Sequence, residues 1–153
     1  LVKMEKILST FQDLTNDQLY DLLKLRQDVF VIEQDCIYQD FDGYDKQATH
    51  FLIYEHKKLV AYSRIFAPSI KYDSESSIGR IIVSKPFRGG DFGKTLIRES
   101  ITYCLKHFRN TNIRIEAQSK LLNYYKNLGF IKDSDSYKVD GIDHLQMIYR
   151  FIK

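Results

Sequence analysis

One short glycine-rich turn carries residue types and spacing suited to chemistry. Residues 81–97 read IIVSKPFRGGDFGKTLI: an apolar, β-branched run enters a Pro/Arg/Gly turn, and a helix leaves it. The first N–H groups of a helix have no intrahelical partner and sit at the positive end of its dipole, so a helix start draws anions. Gly89, Gly90 and Gly93 let the backbone approach an anion with no Cβ in the way. Arg88 adds a planar, fixed positive charge on one side, and Lys94 adds a mobile one. Asp91 and Phe92 complete the turn. The chemistry on offer is phosphate binding, and the question is whose phosphate.

Three owners compete. A nucleoside triphosphate loop ends in Gly-Lys-Thr, as Gly93-Lys94-Thr95 does, but it needs a glycine where Arg88 stands. A dinucleotide fingerprint, G-x-G-x-x-G, fails at the same residue. The pyrophosphate of coenzyme A calls for Arg/Gln-x-x-Gly-x-Gly/Ala between a strand and a helix. Arg88, Gly89, Gly90, Phe92 and Gly93 fit that pattern, and Asp91 occupies the usual place of a glycine. The plain alternative is a polar turn before a buried helix.

Other chemistry is poorly represented. Asp40-Phe41-Asp42-Gly43-Tyr44-Asp45 suggests calcium, but an EF-hand loop wants glycine at its sixth position and Gly43 is fourth. Neither Cys36 nor Cys104 has a Cys or His at zinc-ligand spacing, and the four histidines show no paired spacing, so no metal is expected. Cys104 falls on an apolar helical stripe and reads as core. Cys36 reads as a free structural thiol, since no histidine lies beside it in sequence.

The elements that must position the turn follow from periodicity. Thr15-Asn16-Asp17-Gln18 forms a capping box, and Leu19, Leu22, Leu23, Arg26 and Phe30 follow at helical spacing, which predicts a helix over 16–31. An acidic irregular segment, 33–45, comes next. Residues 50–55 and 59–66 read as paired strands, 78–83 as a third, and 71–77 as a polar loop between them. Leu96/Ile97, Ser100/Ile101, Cys104/Leu105 and Phe108 mark a long helix from Gly93. Residues 113–117 are a strand, 120–128 a short helix ended by Gly129, and 130–131, 136–139 and 145–151 the last strands. Helices packed on a central sheet are the expected layers.

Together these segments resemble a known family. The Arg88–Gly93 turn, followed some thirty residues later by Asn123-Tyr124-Tyr125-Lys126-Asn127-Leu128-Gly129-Phe130, is similar to the GNAT superfamily of acetyl-CoA-dependent N-acyltransferases. Residues 25–34 (LRQDVFVIEQ), 38–43 (YQDFDG), 78–83 (IGRIIV) and 140–147 (DGIDHLQM) narrow it to the ElaA-like branch. The match runs from about Leu19 to Arg150. Asp91 departs from the superfamily consensus, though this branch often lacks the glycine there.

The resemblance implies an α/β (α+β) GNAT fold in a single domain, 1–153. Its mixed sheet would have about six to seven strands, splayed in the middle, with helices on both faces. It implies that Ile81, Ile82 and Val83 pair with the pantetheine arm, that N–H groups from Arg88 to Lys94 hold the pyrophosphate, and that Asn123 contacts the arm. Lys94 and Arg98 would lie near the 3′-phosphate. Tyr125 matches the tyrosine that protonates the leaving thiolate, a role suited to a phenol that stays protonated at neutral pH. Amine acylation also needs a base. Histidine is the commonest side-chain base, so His144 is the first candidate, and Glu116 or a water chain are the others. Arg26, Glu33, Gln34 and Arg80 are candidate acceptor-side residues. Asp40, Asp42 and Asp45 suit a cationic amine, while Arg26 and Arg80 suit either these carboxylates or a substrate carboxylate.

Bulk composition agrees with an enzyme-sized globular domain. The 153 residues are 44% hydrophobic and 28% charged, and the net charge of +3 is too mild to indicate nucleic acid. Two cysteines and no membrane-length apolar run fit a reducing cytoplasm. No apolar stretch follows Leu1-Val2-Lys3-Met4, so no signal peptide is expected, and Met4 is a candidate natural start. The expected partners are a coenzyme A thioester and a small amine or peptide amine, with a homodimer left open. A non-catalytic acyl-CoA-binding module and a small nucleotide binder are the competing readings.

Overall fold

The computed structural model describes residues 4–153. Leu1, Val2 and Lys3, and with them the question of a natural start at Met4, lie outside the described residues.

Eight strands form one mixed sheet. Strand β1 (Met4–Thr10) pairs with β2 (Thr49–Glu55), β2 with β3 (Lys58–Phe66), and β3 with β4 (Ser76–Val83), all antiparallel. Strand β5 (Ile113–Gln118) runs parallel to β4, and β8 (Ile142–Tyr149) antiparallel to β5. The short strands β6 (Ile131–Lys132) and β7 (Tyr137–Val139) both pair with β8. The sheet exceeds the six to seven strands expected because β1 is an edge strand whose residues are mostly exposed, so its sequence shows weak alternation.

Two tight turns fix register. His56 and Lys57 both have positive φ between Glu55 and Lys58, which pair directly. Asp140 and Gly141 do the same between Val139 and Ile142, so β8 begins three residues before the expected Leu145. Two-residue turns with positive φ match the twist of the strands they join.

Alternation along the central strands divides the core. Leu52, Tyr54 and Tyr62 pack with Leu22 and Val29 beneath helix α1 (Asn16–Arg26). Phe51, Ile53 and Ala61 face the other way, against Leu96, Ile97, Ile101 and Cys104 of helix α2 (Phe92–His107). Thr15 and Gln18 form the reciprocal capping box at the start of α1, at 3.1 and 3.0 Å. The α-helix stops at Arg26, earlier than periodicity suggests, and Gln27–Glu33 continues as a π-helix. Helix α3 (Leu122–Asn127) follows a 3₁₀ turn at Ser119–Leu121. No helix among the described residues is long and apolar enough to cross a membrane.

Candidate active site

The central strands separate where the chemistry would occur. Strands β4 and β5 pair only at Ser76/Ile113 and Ser77/Arg114, then diverge. Backbone groups of Ile78–Val83 therefore face a gap, and such unpaired edges are templates for an extended ligand. Strand β4 also bulges. Tyr62 opposes Ile82 and Arg64 opposes Gly79, so Ser63 alone faces both Arg80 and Ile81. Arg80 sits there at φ 49°, a left-handed conformation worth about 1–2 kcal/mol of strain for a residue with a Cβ. Strain of this kind concentrates at functional sites.

The glycine turn fits a pyrophosphate. Gly89 has φ 87°, and a Cβ on Gly89 or Gly90 would meet no atom within 4 Å, so open space lies over both. Helix α2 starts directly after the turn, and no side chain caps it. Its first N–H groups remain free for an anion. Gly93 serves packing: a Cβ there would lie 2.8 Å from the Tyr124 hydroxyl and 3.5 Å from Val83. Lys94 and Arg98 are exposed on α2, and Asn123 is exposed on α3. Arg88 does not reach freely into the turn. Its Nη1 and Nη2 donate to Glu33 at 2.7 and 3.0 Å, and its Nε donates to the Val83 carbonyl at 2.9 Å. The Arg88 hydrogen bond, together with nearby positive charge, holds the Glu33 carboxyl below its ordinary range.

A cavity of about 370 Å³ opens beside the splay. Its walls include Ile81, Arg80 and Gly79 of β4, Ile115–Gln118 of β5, Tyr125 of α3, and Ile142 and His144 of β8. Gln34, Cys36, Tyr38 and Gln39 close it from the segment after the π-helix. The structure thus brings Tyr125, His144, Glu116, Gln34, Arg80 and Ile81 to one cavity. Ile82 is buried in the α1-side core instead.

Tyr125 is 6% exposed, wedged edge-on against Tyr124 and Phe130. Burial, reinforced by neighbouring Tyr124, pushes its phenol well above the ordinary range. His144 places Nδ1 2.8 Å from the Ile142 carbonyl. A carbonyl only accepts, so Nδ1 is the donor, and in the neutral imidazole Nε2 is then the acceptor. Glu116 accepts from the Tyr137 hydroxyl at 2.7 Å, and that hydroxyl accepts from Gln146 Nε2 at 2.6 Å. Burial and this contact with Glu116 push Tyr137 up to about 12.

The acidic segment has already spent its charge. Arg26 is fully buried and donates to Asp40 at 2.8 Å and Asp45 at 2.7 Å. Arg64, 2% exposed, donates to Asp42 and Asp45. Arg80 donates to Asp40 at 2.7 Å and reaches Asp42 at 3.5 Å. Three aspartates and three arginines neutralise one another. This corrects two expectations. Asp40, Asp42 and Asp45 do not present free charge to a cationic amine, and of the two readings open for Arg26 the structure shows the pairing with these carboxylates, away from the cavity lining. Burial pushes Asp42 up, but the Arg64 hydrogen bonds, the Tyr44 N–H and the two nearby arginines outweigh it and hold it well below the carboxylate range. Asp45 is lowered in the same way by Arg26 and Arg64, against its own burial. His50 is sealed beneath. Its Nε2 donates to the Asp45 carbonyl at 2.8 Å, and its Nδ1 accepts from Tyr62 at 2.6 Å.

One donor in this network has no partner. Arg64 Nε is buried and makes no hydrogen bond among the described residues. An unmet buried donor costs about 1–3 kcal/mol.

Several cavity residues escaped the sequence reading. Lys71 and Tyr72 belong to a stretch that reads only as a polar loop. Tyr38 and Gln39 come from an irregular segment with no periodicity. Gly79 was the one available signal, because a glycine inside a strand marks a close approach.

Comparison with known proteins agrees with this geometry. The model of an acetyltransferase (GNAT) domain matches residues 11–151. Protein ElaA of Escherichia coli is 39% identical over 146 residues, covering 92% of this chain and 93% of its own. A UPF0039 protein of Synechocystis is 40% identical over 141 residues, covering 92% and 91%. The crystal structure of Escherichia coli ElaA superposes with a TM-score of 0.88 at 36% identity, covering 98% of this chain and all of that one. An acyl-CoA N-acyltransferase from Pseudomonas aeruginosa superposes with a TM-score of 0.91 at 31% identity, covering 97% and 100%. This chain belongs to the GNAT acetyltransferase family, in its ElaA-like branch.

Proposed function

We propose that this protein is a cytoplasmic N-acetyltransferase that moves an acetyl group from acetyl-CoA to a primary amine by direct attack on the thioester. The observation that carries the reading is the convergence of the β4–β5 splay, the uncapped glycine turn and the Tyr125/His144/Glu116 cavity. The glycine-turn N–H groups would hold the pyrophosphate, with Lys94 and Arg98 toward the 3′-phosphate, and the open edge of β4 at Ile81–Val83 would hold the pantetheine arm. When bound, the thioester supplies an activated acetyl carbonyl and a sulfur leaving group.

In its neutral form His144 offers Nε2 as the lone pair a base requires, since Nδ1 donates to Ile142. Glu116, fixed by Tyr137, favours a cationic group at that wall. Tyr125 holds its proton throughout the neutral range and donates a hydrogen bond where negative charge develops on sulfur. Net, one carbon–nitrogen bond forms and one carbon–sulfur bond breaks. One proton from the ammonium ends on sulfur and one reaches solvent. Incubation with acetyl-CoA and a panel of amines, read by mass spectrometry, tests the reading. Acetylated amine together with free coenzyme A is expected, and coenzyme binding with no product from any amine would favour a non-catalytic acyl-CoA module.

A further inference from the structure

The cavity is lined by charged groups of both signs. Glu116 on β5 and Asp140 in the β7–β8 turn line one side together with His144. Arg64, Arg80 and Lys71 line the other, on β3, β4 and the loop between them, together with Asp42, which pairs with both arginines. The arginines' charges are balanced within the network, but their donors are not all used. Arg80 Nη1 takes no part in the bonds to Asp40 and Asp42. Lys71 makes no ion pair among the described residues, and its Nζ lies 4.3 Å from the Tyr44 ring centroid.

These donors surround a vacancy in the strand surface. Gly79 directly opposes Arg64 across β3 and β4, and opposed residues project on the same face. A Cβ on Gly79 would meet nothing within 4 Å. Space therefore lies beside the Arg64 side chain, within the wall of the cavity. A cavity with unused donors beside β4 and the Glu116 carboxylate across the gap on β5 matches a molecule that carries both charges.

We propose that the acceptor is a zwitterion, a free amino acid whose carboxylate seats over Gly79 against Arg80 Nη1 and Lys71 while its amine faces Glu116 and His144. This rests on the amine-acetyltransferase reading. It explains the unused Arg80 and Lys71 donors and the open space over Gly79 together.

Free amino acids and their carboxamides, compared as acceptors with acetyl-CoA, test it. The amide's amine is the less basic, so its larger neutral fraction makes it intrinsically the better nucleophile at neutral pH. Free acids are nevertheless expected to exceed their amides at least tenfold in kcat/KM. Gly79→Val should erase most of that preference by filling the seat. Gly79 lies outside the left-handed region and a β-branched residue suits a strand, so this variant should fold and keep its coenzyme-induced thermal shift. Lys71→Met, at an exposed position, should reduce the preference through charge alone. Amides equal to or better than acids overturn the proposal and leave the acetyltransferase reading standing. A preference for acids that both variants leave unchanged overturns the seat over Gly79. Coenzyme-induced stabilisation with no amino acid accepted also overturns the proposal. Absence of both coenzyme stabilisation and turnover of any amine defeats the underlying reading itself.

Discussion

Tyr125 concentrates the chemistry at the scale of single residues. Its ring packs against Tyr124 and Phe130, and the residue lines the cavity. Tyr125→Phe keeps the ring contacts and deletes only the donor. It should leave acetyl-CoA binding unchanged and lower kcat by roughly 10²-fold, since positioned proton donors contribute on that scale. Steady-state kinetics paired with calorimetric coenzyme titration separate the two effects. An unchanged kcat would remove Tyr125 from the mechanism. Burial holds the phenol protonated well past neutrality, so ionisation of Tyr125 should not shape the rate profile in the neutral range.

At the scale of elements, two contacts carry consequences. The Arg88–Glu33 fork ties the glycine turn to the segment that closes the cavity. The pair is partly exposed, so its loss should change stability by less than about 1 kcal/mol. Glu33→Gln frees the guanidinium for coenzyme phosphates, and affinity for acetyl-CoA should rise about threefold to tenfold, or up to about 1.4 kcal/mol. Weaker binding in that variant would show that the fork pre-forms the site. Gly129 ends α3 at φ 103°, and a Cβ there would lie 2.7 Å from the Tyr149 ring. Gly129→Ala should cost roughly 2 kcal/mol or more by urea denaturation with unchanged slope. Gly129, like the glycine turn, α2 and the central strands, was legible in the sequence, because local chemistry and strong periodicity fix each of them. Strand β1 was not, since an exposed edge strand has little pattern to show. Nor was the π-helix after Arg26, whose apolar spacing resembles that of an α-helix. The pairing of Arg26, Arg64 and Arg80 with three aspartates depends on tertiary contacts over 14 to 40 residues. The seat over Gly79 is likewise an absence of atoms, visible only once the strands are aligned.

Across the whole molecule, buried ionisable groups set the pH range of stability. His50 is lowered from its ordinary 6.5 by burial, so its contribution is full above that value and is lost as pH falls through the folded-state value. Asp42 and Asp45 lie below their ordinary 3.8, and their contribution is lost as pH falls below about 4. Tyr62 and Tyr125 are raised by burial above 10.0, so their contribution is full below that value and is lost as pH rises through it. Thermal midpoints from pH 3 to 11 should therefore form a plateau from about 7 to 10, with a shallow decline toward 5 and a steeper one below 4. A midpoint rising between pH 6.5 and 4 would contradict a buried neutral His50. The acyltransferase account itself turns on who owns the glycine turn, and thermal stability with acetyl-CoA, coenzyme A and ATP, each alone, measures that most directly. At about 100 times its dissociation constant a ligand of the folded state should add roughly 2.7 kcal/mol. Stabilisation by both coenzyme forms but not by ATP is the predicted result. No shift with either coenzyme form, or a shift with ATP alone, would contradict it.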